Sequence, residues 1–375
     1  MTLVDHDTGG KTRPRLGFVG LGSTGRSRLT ALAAFGAAEV TALCDPDPER
    51  LCITAPEHRR AHCFDDAAEL LEAAGDLGLD GVIMATSPAA GVESIELIVA
   101  ALERGLAVLC PTWLAADAAG CRRAVAAARR ADRLLGVDYA YRALPGVARA
   151  VRRVGAGLLG PVMHVRGAFH EARGPVAAGR GDAAGREGGA FVDLGVHLLD
   201  LTLALLGRPE VESVAARCFR DGRPITAPGT EVEDFAAVRL EFAGGPSADL
   251  VASWSAHAGA GRAFQLEAFG TRGELELVRL GGGSDDLELA LREGRRRTVV
   301  ARAGEDDLAG AATAWARRLA RSPRFDPGAA GSLAVAEAVE QVYRWRAQTR
   351  EPGAAAGSST PVRSGAPAID ALVSA

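Results

Sequence analysis

The feature that most constrains this chain is a glycine-rich turn near its start, in the segment "RLGFVGLGSTGRSRL". An apolar run leads into Gly20, Gly22 and Gly25, which have G-x-G-x-x-G spacing, and a helical pattern follows. Between a strand and a helix, this spacing predicts a turn whose backbone amides and helix N-terminus bind a phosphate group. Ser23 and Thr24 lie inside the turn and are predicted to bind with the glycines. The alternative is a glycine turn that serves packing alone.

Asp45 ends the next predicted strand, twenty residues after Gly25. An acidic residue at this point accepts hydrogen bonds from ribose hydroxyls of a dinucleotide, which favours NAD as the cofactor. The alternative is a turn-forming aspartate in "DPDP". Arg50 is close enough in sequence to meet the 2′-phosphate of NADP, so NADP stays open as the cofactor.

The pattern of strands and helices changes near residue 140. Before it, apolar strands alternate with helices, as in "DGVIMATSP", "VESIELIVAALERG" and "LAVLC", which predicts an α/β fold with a doubly wound parallel sheet. Between 211 and 300, strands alternate with turns, which predicts an α+β domain with a largely antiparallel sheet. We therefore predict a flexible leader at 1–13, a dinucleotide-binding domain at 14–137, an α+β domain at 138–350 and a low-complexity tail at 351–375.

Charge and composition exclude several functions. A net charge of −4 and a pI of about 6.0 argue against a nucleic-acid surface, which needs a basic field. No apolar run approaches the length of a membrane span, and no signal peptide opens the chain. The six cysteines contain no C-x-x-C pair, which predicts a reduced, cytoplasmic protein. Lys11, in the leader, is the single lysine of the sequence.

The segment "GREGGAFVDLGVHLLDL" places Asp193, His197 and Asp200 at spacings of four and three. In an α-helix these spacings put all three on one face. A carboxylate one turn from an imidazole can orient it, and the imidazole can then act as an acid or a base. The alternatives are a core histidine satisfied by its neighbours and a metal site, for which a fourth ligand is lacking.

Taken together, these segments resemble the glucose–fructose oxidoreductase and inositol dehydrogenase (Gfo/Idh/MocA) family, from about Pro14 to Arg350. The segments that carry the resemblance include "GFVGLGSTGR", "ALCDPDPERL", "AVLCPTWLA", "GVDYAYRALPGV", "GGAFVDLGVHLLD" and "FGTRGELEL". The resemblance implies a Rossmann domain, an open-faced sheet domain, a nicotinamide cofactor and a small-molecule substrate between the domains. It also implies a homodimer or homotetramer formed through the C-terminal sheet.

The resemblance implies roles for particular residues. Asp193 and His197 fall on the catalytic pair of the family, and Tyr139 and Arg142 fall on its "GYNYR" segment beside the cleft. It also implies the remaining site residues: Thr86 and Thr112 near the cofactor, Tyr139 as a second proton-handling candidate, and Trp113, Arg142 and Asp200 near the substrate.

Three departures from the family surround the expected nicotinamide position. Where the family has "VLCEKPLA", this chain has "VLCPTWLA", so Thr112 replaces the lysine that moves a proton. Gly91 and Arg28 stand where the family has histidines. A threonine hydroxyl has no charge at pH 7, so polyol oxidation through the usual pair is not expected.

Three classes of function remain. The favoured one is an NAD(P)-dependent reductase of a small carbonyl, imine or sugar-like compound, with His197 as the proton donor or acceptor. The second is an inactive protein that senses nicotinamide or sugar. The third is a lyase or cyclase on the same fold.

Overall fold

The structure is a computed structural model that describes residues 13–85, 92–112, 114, 117–172, 189–226, 231–256, 261–279, 286–304 and 306–348. The predicted leader and tail, the loop at 173–188, Thr86, Gly91 and Trp113 lie outside these residues, apart from Arg13 at the end of the leader.

Fifteen strands run through the described residues: β1 Arg15–Val19, β2 Glu39–Cys44, β3 His62–Phe64, β4 Gly81–Met84, β5 Ala107–Cys110, β6 Leu135–Val137, β7 Val162–Glu171, β8 Val211–Arg220, β9 Arg223–Pro224, β10 Phe235–Phe242, β11 Ser247–Ser253, β12 Arg262–Gly270, β13 Glu274–Arg279, β14 Leu287–Glu293 and β15 Arg296–Ala303. The α-helices of the same residues are α1 Ser23–Ala34, α2 Pro48–Thr54, α3 Ala67–Ala73, α4 Val92–Glu103, α5 Ala118–Ala131, α6 Ala140–Ala143, α7 Pro145–Gly155, α8 Val196–Leu206, α9 Gly310–Arg321 and α10 Gly331–Gln348.

The first six strands form a parallel sheet in the order β3-β2-β1-β4-β5-β6. Strands β4 and β5 are buried along their whole length, because helices cover both faces of the sheet. The order reverses direction between β1 and β4, and open parallel sheets bind ligands at the carboxyl ends of the strands at such a point. The glycine turn after β1 lies there.

The other nine strands form the second sheet, in the order β15-β14-β13-β12-β7-β11-β10-β8-β9. All its neighbouring strands are antiparallel except β7 and β11. Helices α7, α8 and α10 contribute to the core of this domain together with the sheet. The prediction of two sheets, one parallel and one largely antiparallel, is confirmed. Oligomerisation through the second sheet stays a prediction.

Helix α9 returns from the C-terminal part of the chain to the parallel sheet. Its Trp315 is buried in one core cluster with Phe18 and Leu109. A Cβ atom at Gly136 would lie 2.7 Å from Cδ1 of Trp315, and one at Gly81 would lie 3.1 Å from its Cη2. These glycines therefore provide the space in which the indole packs.

The segment before α8 differs from the predicted continuous helix. A π-helical turn covers Phe191–Gly195, and α-helix begins only at Val196. A Cβ atom at Gly195 would lie 2.4 Å from the Phe191 ring, so the wider turn depends on glycine. The extra residue per turn changes which side chains share a face.

Candidate active site

The glycine turn has a different constraint at each glycine. Gly20 has a φ of +95°, which favours glycine. A Cβ atom at Gly25 would lie 2.1 Å from the carbonyl oxygen of Gly20, so α1 can approach the strand only without a side chain there. A Cβ atom at Gly22 would meet nothing within 4 Å, so open space lies beside the turn.

Helix α1 leaves its first amides without a side-chain acceptor. Gly22 is its N-cap, and no acidic residue lies in its first turn. By contrast, Asp47, Asp66 and Asp117 cap α2, α3 and α5 through their carboxylates. The free amides and the helix dipole of α1 therefore suit an anion such as the pyrophosphate of a dinucleotide. The turn, the open space and the uncapped helix together fit this group.

Asp45 is 1% exposed and braces the glycine turn. Its Oδ2 accepts a hydrogen bond of 2.6 Å from the amide of Leu21, and its Oδ1 accepts one of 3.0 Å from the amide of Asp47. Arg50 is half exposed, with Nη1 3.6 Å from Oδ2 of Asp45. Both oxygens of Asp45 thus accept hydrogen bonds inside the protein, so the structure gives Asp45 the role of holding the turn, and its contact with a ribose hydroxyl stays a prediction.

Thr112 follows β5 at the same edge of the sheet. Its hydroxyl donates to the main-chain carbonyl of Asp138, with 2.6 Å between the oxygens. Asp138 follows β6, and its Oδ2 accepts a hydrogen bond of 2.6 Å from Nε of Arg28. The replacement of the family lysine is therefore a threonine hydroxyl bound to the main chain, with a buried ion pair next to it.

His197 lies at the start of α8, partly buried, between charges from both domains. Burial is the main cause that lowers its pKa to about 4, and the cations of Arg262 and Arg28 lower it further, against the opposing charge of Glu171. The imidazole is therefore neutral at pH 7. Nδ1 of His197 is buried and has no hydrogen-bond partner.

The predicted orientation of His197 by Asp193 is wrong. No bond joins Asp193 to the imidazole; instead, Oδ2 of Asp193 accepts a hydrogen bond of 2.9 Å from the indole of Trp254. Residues four apart share a face in an α-helix, but Asp193 lies in the π-helical turn, where the extra residue per turn shifts it away from that face. Asp193 is exposed and lies beside the indole of Trp254. A role for Asp193 in the site stays a proposal.

Glu233 fixes the start of the segment that carries His197. Its carboxylate is fully buried and accepts a hydrogen bond from the amide of Phe191 at 3.2 Å and one from the hydroxyl of Tyr343 at 2.6 Å. A Cβ atom at Gly189 would lie 2.1 Å from the carboxyl carbon of Glu233. The glycine therefore permits a buried carboxylate to approach the helix N-terminus, where negative charge is stabilising.

Asp200, Arg142 and Arg208 form a structural cluster of buried charge. Asp200 is 1% exposed, and its Oδ2 accepts a hydrogen bond of 2.7 Å from Nε of Arg142, while Arg208 lies 3.8 Å from Oδ1. The two arginines also line a pocket together with Ala148, Val151 and Ala204. Asp200 is held by two cations away from solvent, which argues against the substrate role predicted for it, and Nε of Arg142 is already bound to Asp200.

Tyr139 belongs to the same cluster. It is 3% exposed, the guanidinium of Arg142 lies 5.1 Å from its ring centre, and burial raises the pKa of its hydroxyl well above the ordinary value. The predicted proton-handling role for Tyr139 is therefore unsuitable, because neither a cleft position nor a usable pKa supports it.

Tyr141, Phe169 and Phe264 form an aromatic wall beside His197, which the sequence did not predict. Tyr141 lies with its ring centre 5.5 Å from the imidazole, and it stacks on Phe264 at 4.2 Å. Phe169 lies edge-on to both tyrosine and phenylalanine rings. Glu171 and Arg262, joined by a hydrogen bond of 2.6 Å, adjoin this wall on β7 and β12. The sequence predicted strands next to Glu171 and Arg262, but it could not predict that β7 and β12 pair and bring the two side chains together.

The described residues contain no group of three or more metal-ligating side chains that could hold an ion, and no helix among them is long and apolar enough to cross a membrane.

Two family models match this chain. Residues 14–139 match the model described as an oxidoreductase family with an NAD-binding Rossmann fold, and residues 147–276 match the GFO/IDH/MocA C-terminal domain. D-apiose dehydrogenase of Paraburkholderia graminis is 30% identical over 299 residues, which cover 79% of this chain and 74% of that protein. The chain belongs to the GFO/IDH/MocA family. It is an NAD(P)-dependent oxidoreductase with an NAD-binding domain, as the resemblance implied.

Solved structures of other oxidoreductases share the fold. An oxidoreductase domain protein from Kribbella flavida superposes with a TM-score of 0.75 at 24% identity, covering 89% of this chain and 97% of that one. Levoglucosan dehydrogenase in complex with NADH superposes with a TM-score of 0.73 at 19% identity, covering 90% of this chain and 97% of that one.

Proposed function

We propose that this chain uses NAD⁺ to oxidise a hydroxyl group of a small sugar-like or polyol-like compound. The observation that carries this proposal is the glycine turn before an uncapped helix, in a chain whose second domain holds His197 beside an aromatic wall. D-apiose dehydrogenase, the similar protein, is named for a sugar substrate.

The proposed direction follows the similar D-apiose dehydrogenase, and the neutral state of His197 agrees with it. The sequence alone favoured a reductase in which His197 supplies a proton. With a pKa of about 4, the imidazole holds no transferable extra proton at pH 7, so proton donation is disfavoured. A neutral imidazole instead is in the state needed to accept the hydroxyl proton as the substrate is oxidised.

The cofactor, when bound, supplies the acceptor for a hydride from the substrate. This chain holds it with the glycine turn, the N-terminus of α1 and Asp45. Tyr141, Phe169 and Phe264 are 1–3% exposed and form the wall that packs against His197, which keeps water from that side of the imidazole and strengthens electrostatic interactions near it. His197 takes the proton from the reacting hydroxyl.

The test is a panel of sugars, sugar acids and cyclitols with NAD⁺ and NADP⁺, followed through the absorbance of the reduced nicotinamide. Oxidation of at least one sugar-like compound by wild-type protein, lost in His197→Asn by about 10²-fold or more, is the expected result. Reduction of carbonyls or imines alone would restore the reductase interpretation. Dinucleotide binding without any turnover would favour a protein that senses nicotinamide. Conversion of a substrate without consumption of NAD⁺ would favour a lyase or a cyclase.

We further propose that NAD(H) is preferred over NADP(H). The negative charge of Asp45 at the end of β2 repels a 2′-phosphate, while Arg50 is already directed at Asp45 and Asp47. Calorimetry should show tighter binding of NADH than of NADPH, and Asp45→Ser should narrow the difference. Tighter binding of NADPH by wild-type protein would reverse the preference.

A further inference from the structure

The ion pair of Arg28 and Asp138 joins α1 to the segment after β6. The side chains are 13% and 9% exposed, so both charges are largely removed from water. Such a pair is costly unless its remaining polar atoms are satisfied. Here Oδ1 of Asp138 is buried and has no hydrogen-bond partner among the described residues, and the same is true of Oδ1 of Asp200. The unpaired oxygen therefore does not by itself distinguish the Asp138 pair, and the distinction rests on where the pair lies.

The position of the pair supplies that distinction. Asp138 and Thr112 both follow parallel strands at the carboxyl edge of the sheet, and the Thr112 hydroxyl binds the main-chain carbonyl of Asp138. Arg28 lies on α1 and Asp138 directly after β6, so the pair joins two elements of the nucleotide-binding domain at the edge where Thr112 lies. After burial and Arg262, the cation of Arg28 is a further cause that lowers the pKa of His197.

Arg28 also has two terminal guanidinium nitrogens that can donate hydrogen bonds to a ligand. Asp138 binds only its Nε, and no hydrogen bond from the two terminal nitrogens reaches another residue in the described part of the chain. Those nitrogens are not among the buried polar atoms that lack partners. A guanidinium is planar and always charged, so a carboxylate on Nε fixes the direction of the other donors.

The geometry points to Arg28 as a catalytic cation whose terminal nitrogens bind the reacting oxygen of the substrate, with Asp138 as the residue that positions it. This inference rests on the proposed oxidation. The C–H bond of the carbinol breaks and its electron pair leaves as hydride to NAD⁺; the O–H bond breaks and its proton passes to His197; a carbonyl forms. Arg28 stabilises the negative charge that develops on the oxygen, which neutral Thr112 cannot do.

The main experiment compares Arg28→Gln with Arg28→Lys on the best substrate of the panel. Loss of a charged donor to a developing oxyanion costs about 10²- to 10³-fold in kcat, so Arg28→Gln should fall by that amount while its NADH affinity stays within about threefold of wild type. Arg28→Lys should recover part of the loss. Adding Thr112→Lys to Arg28→Gln should recover at least about tenfold if a cation at this edge is what the reaction needs.

Arg142→Gln is the matched control, because it also removes an arginine bound through Nε to a buried aspartate, but in the structural cluster. Its kcat per folded molecule should match wild type, with folding checked by circular dichroism. Asp138→Asn should retain the charge of Arg28 yet lower kcat without altering NADH affinity. A kcat for folded Arg28→Gln within threefold of wild type would overturn the assignment.

A second measurement does not depend on turnover. The pKa of His197, measured by NMR titration, should rise in Arg28→Gln and stay unchanged in Arg142→Gln. If wild-type protein oxidises no compound of the panel, the proposed function fails, and this titration then judges Arg28 by itself. An unchanged pKa in Arg28→Gln would show that the guanidinium does not face the imidazole.

Discussion

Two clusters of buried carboxylates and arginines lie in this molecule, and they differ in what surrounds them. Asp200 is enclosed by Arg142 and Arg208, and Arg208 also donates to the carbonyl of Gly331 at 2.8 Å. Among the described residues Asp138 pairs with Arg28 only, at the edge of the parallel sheet where the glycine turn lies. Arg142 and Arg208 each have a further partner besides Asp200, whereas the terminal nitrogens of Arg28 make no hydrogen bond to another described residue.

The difference teaches that residue type and burial do not separate structure from function here. In both clusters burial raises the pKa of the aspartate and the arginines oppose that shift. The two clusters differ in whether the guanidinium groups of their arginines have a partner besides the aspartate. Arg142 and Arg208 are engaged by a ring or a second acceptor, and the terminal nitrogens of Arg28 have no such partner among the described residues.

The largest effect is expected from Asp200→Asn. Loss of one charge from a buried ion pair costs about 3–5 kcal/mol, because two arginines are left without their counter-charge. Urea unfolding should show this loss in the free energy of unfolding, while kcat per folded molecule stays close to wild type. Asp249→Asn, which breaks a surface pair with Arg239, is the control and should cost less than about 1 kcal/mol. A selective loss of kcat in Asp200→Asn would return this cluster to the active site.

The second effect concerns pH, through His197. Its pKa in the fold is about 4, below its ordinary value of 6.5, so the unfolded chain binds the proton more readily between these values. The corresponding stability is fully present above a pH of about 6.5 and falls by about 3 kcal/mol as the pH approaches 4. Urea unfolding of wild type and His197→Gln between pH 4 and 7 measures it.

Burial also lowers the pKa of His58 and His170, so wild type alone would not isolate this effect. The difference between wild type and His197→Gln should shrink as the pH falls. Two parallel curves would mean that His197 is not held neutral by the fold.

A smaller loss of stability is expected from Asp138→Asn. Only one arginine loses its counter-charge here, against two at Asp200, so the cost should be about 1–3 kcal/mol. The fall in kcat should exceed that of Asp200→Asn, which reverses the order seen in stability. Measuring the free energy of unfolding and kcat for both variants compares the two clusters directly. If Asp200→Asn lowered both quantities more than Asp138→Asn, the clusters would not differ in function.

The smallest effect is expected from Arg142→Lys. The charge remains, but the planar contact with Tyr139 and the Nε bond to Asp200 are lost, at a cost of about 1–2 kcal/mol. Thermal unfolding should detect this, with sugar oxidation unchanged. If Arg142→Lys instead altered KM, Arg142 would touch substrate after all.

Much of the fold could be predicted from the sequence, since the buried strands and the glycine turn are local signals. The two sheets were identified from changes in hydrophobic periodicity alone. Helix α9 was not predicted, although "GAATAWARRLAR" has helical periodicity, because it is a single helix between the second sheet and α10 that packs on the distant parallel sheet. The predicted strand at "LLGVDYAY" is shorter than expected, since β6 ends at Val137 and α6 begins at Ala140.

The candidate site could be predicted only in part. His197 could be singled out from its segment, but its partners could not, because a π-helical turn cannot be identified from residue spacing. Arg28 and Asp138 are separated by 110 residues, and only the crossing of two elements brings them together. The same holds for Tyr141 and Phe264, which come from a short helix and a strand of the second sheet.

The indole of Trp315 has a consequence for how this protein is made. The parallel sheet ends at Val137, yet α1 covers only part of one face, and that face is completed when α9 supplies Trp315. At ordinary rates of synthesis the ribosome needs on the order of 10–40 s to cover that stretch of chain. During this interval the nascent nucleotide-binding half exposes an apolar face with glycine-lined hollows at Gly81 and Gly136, a surface that chaperones bind. Gene fragments cut after the first domain should therefore yield an aggregation-prone product, and a functional excised domain needs α9 joined back to it.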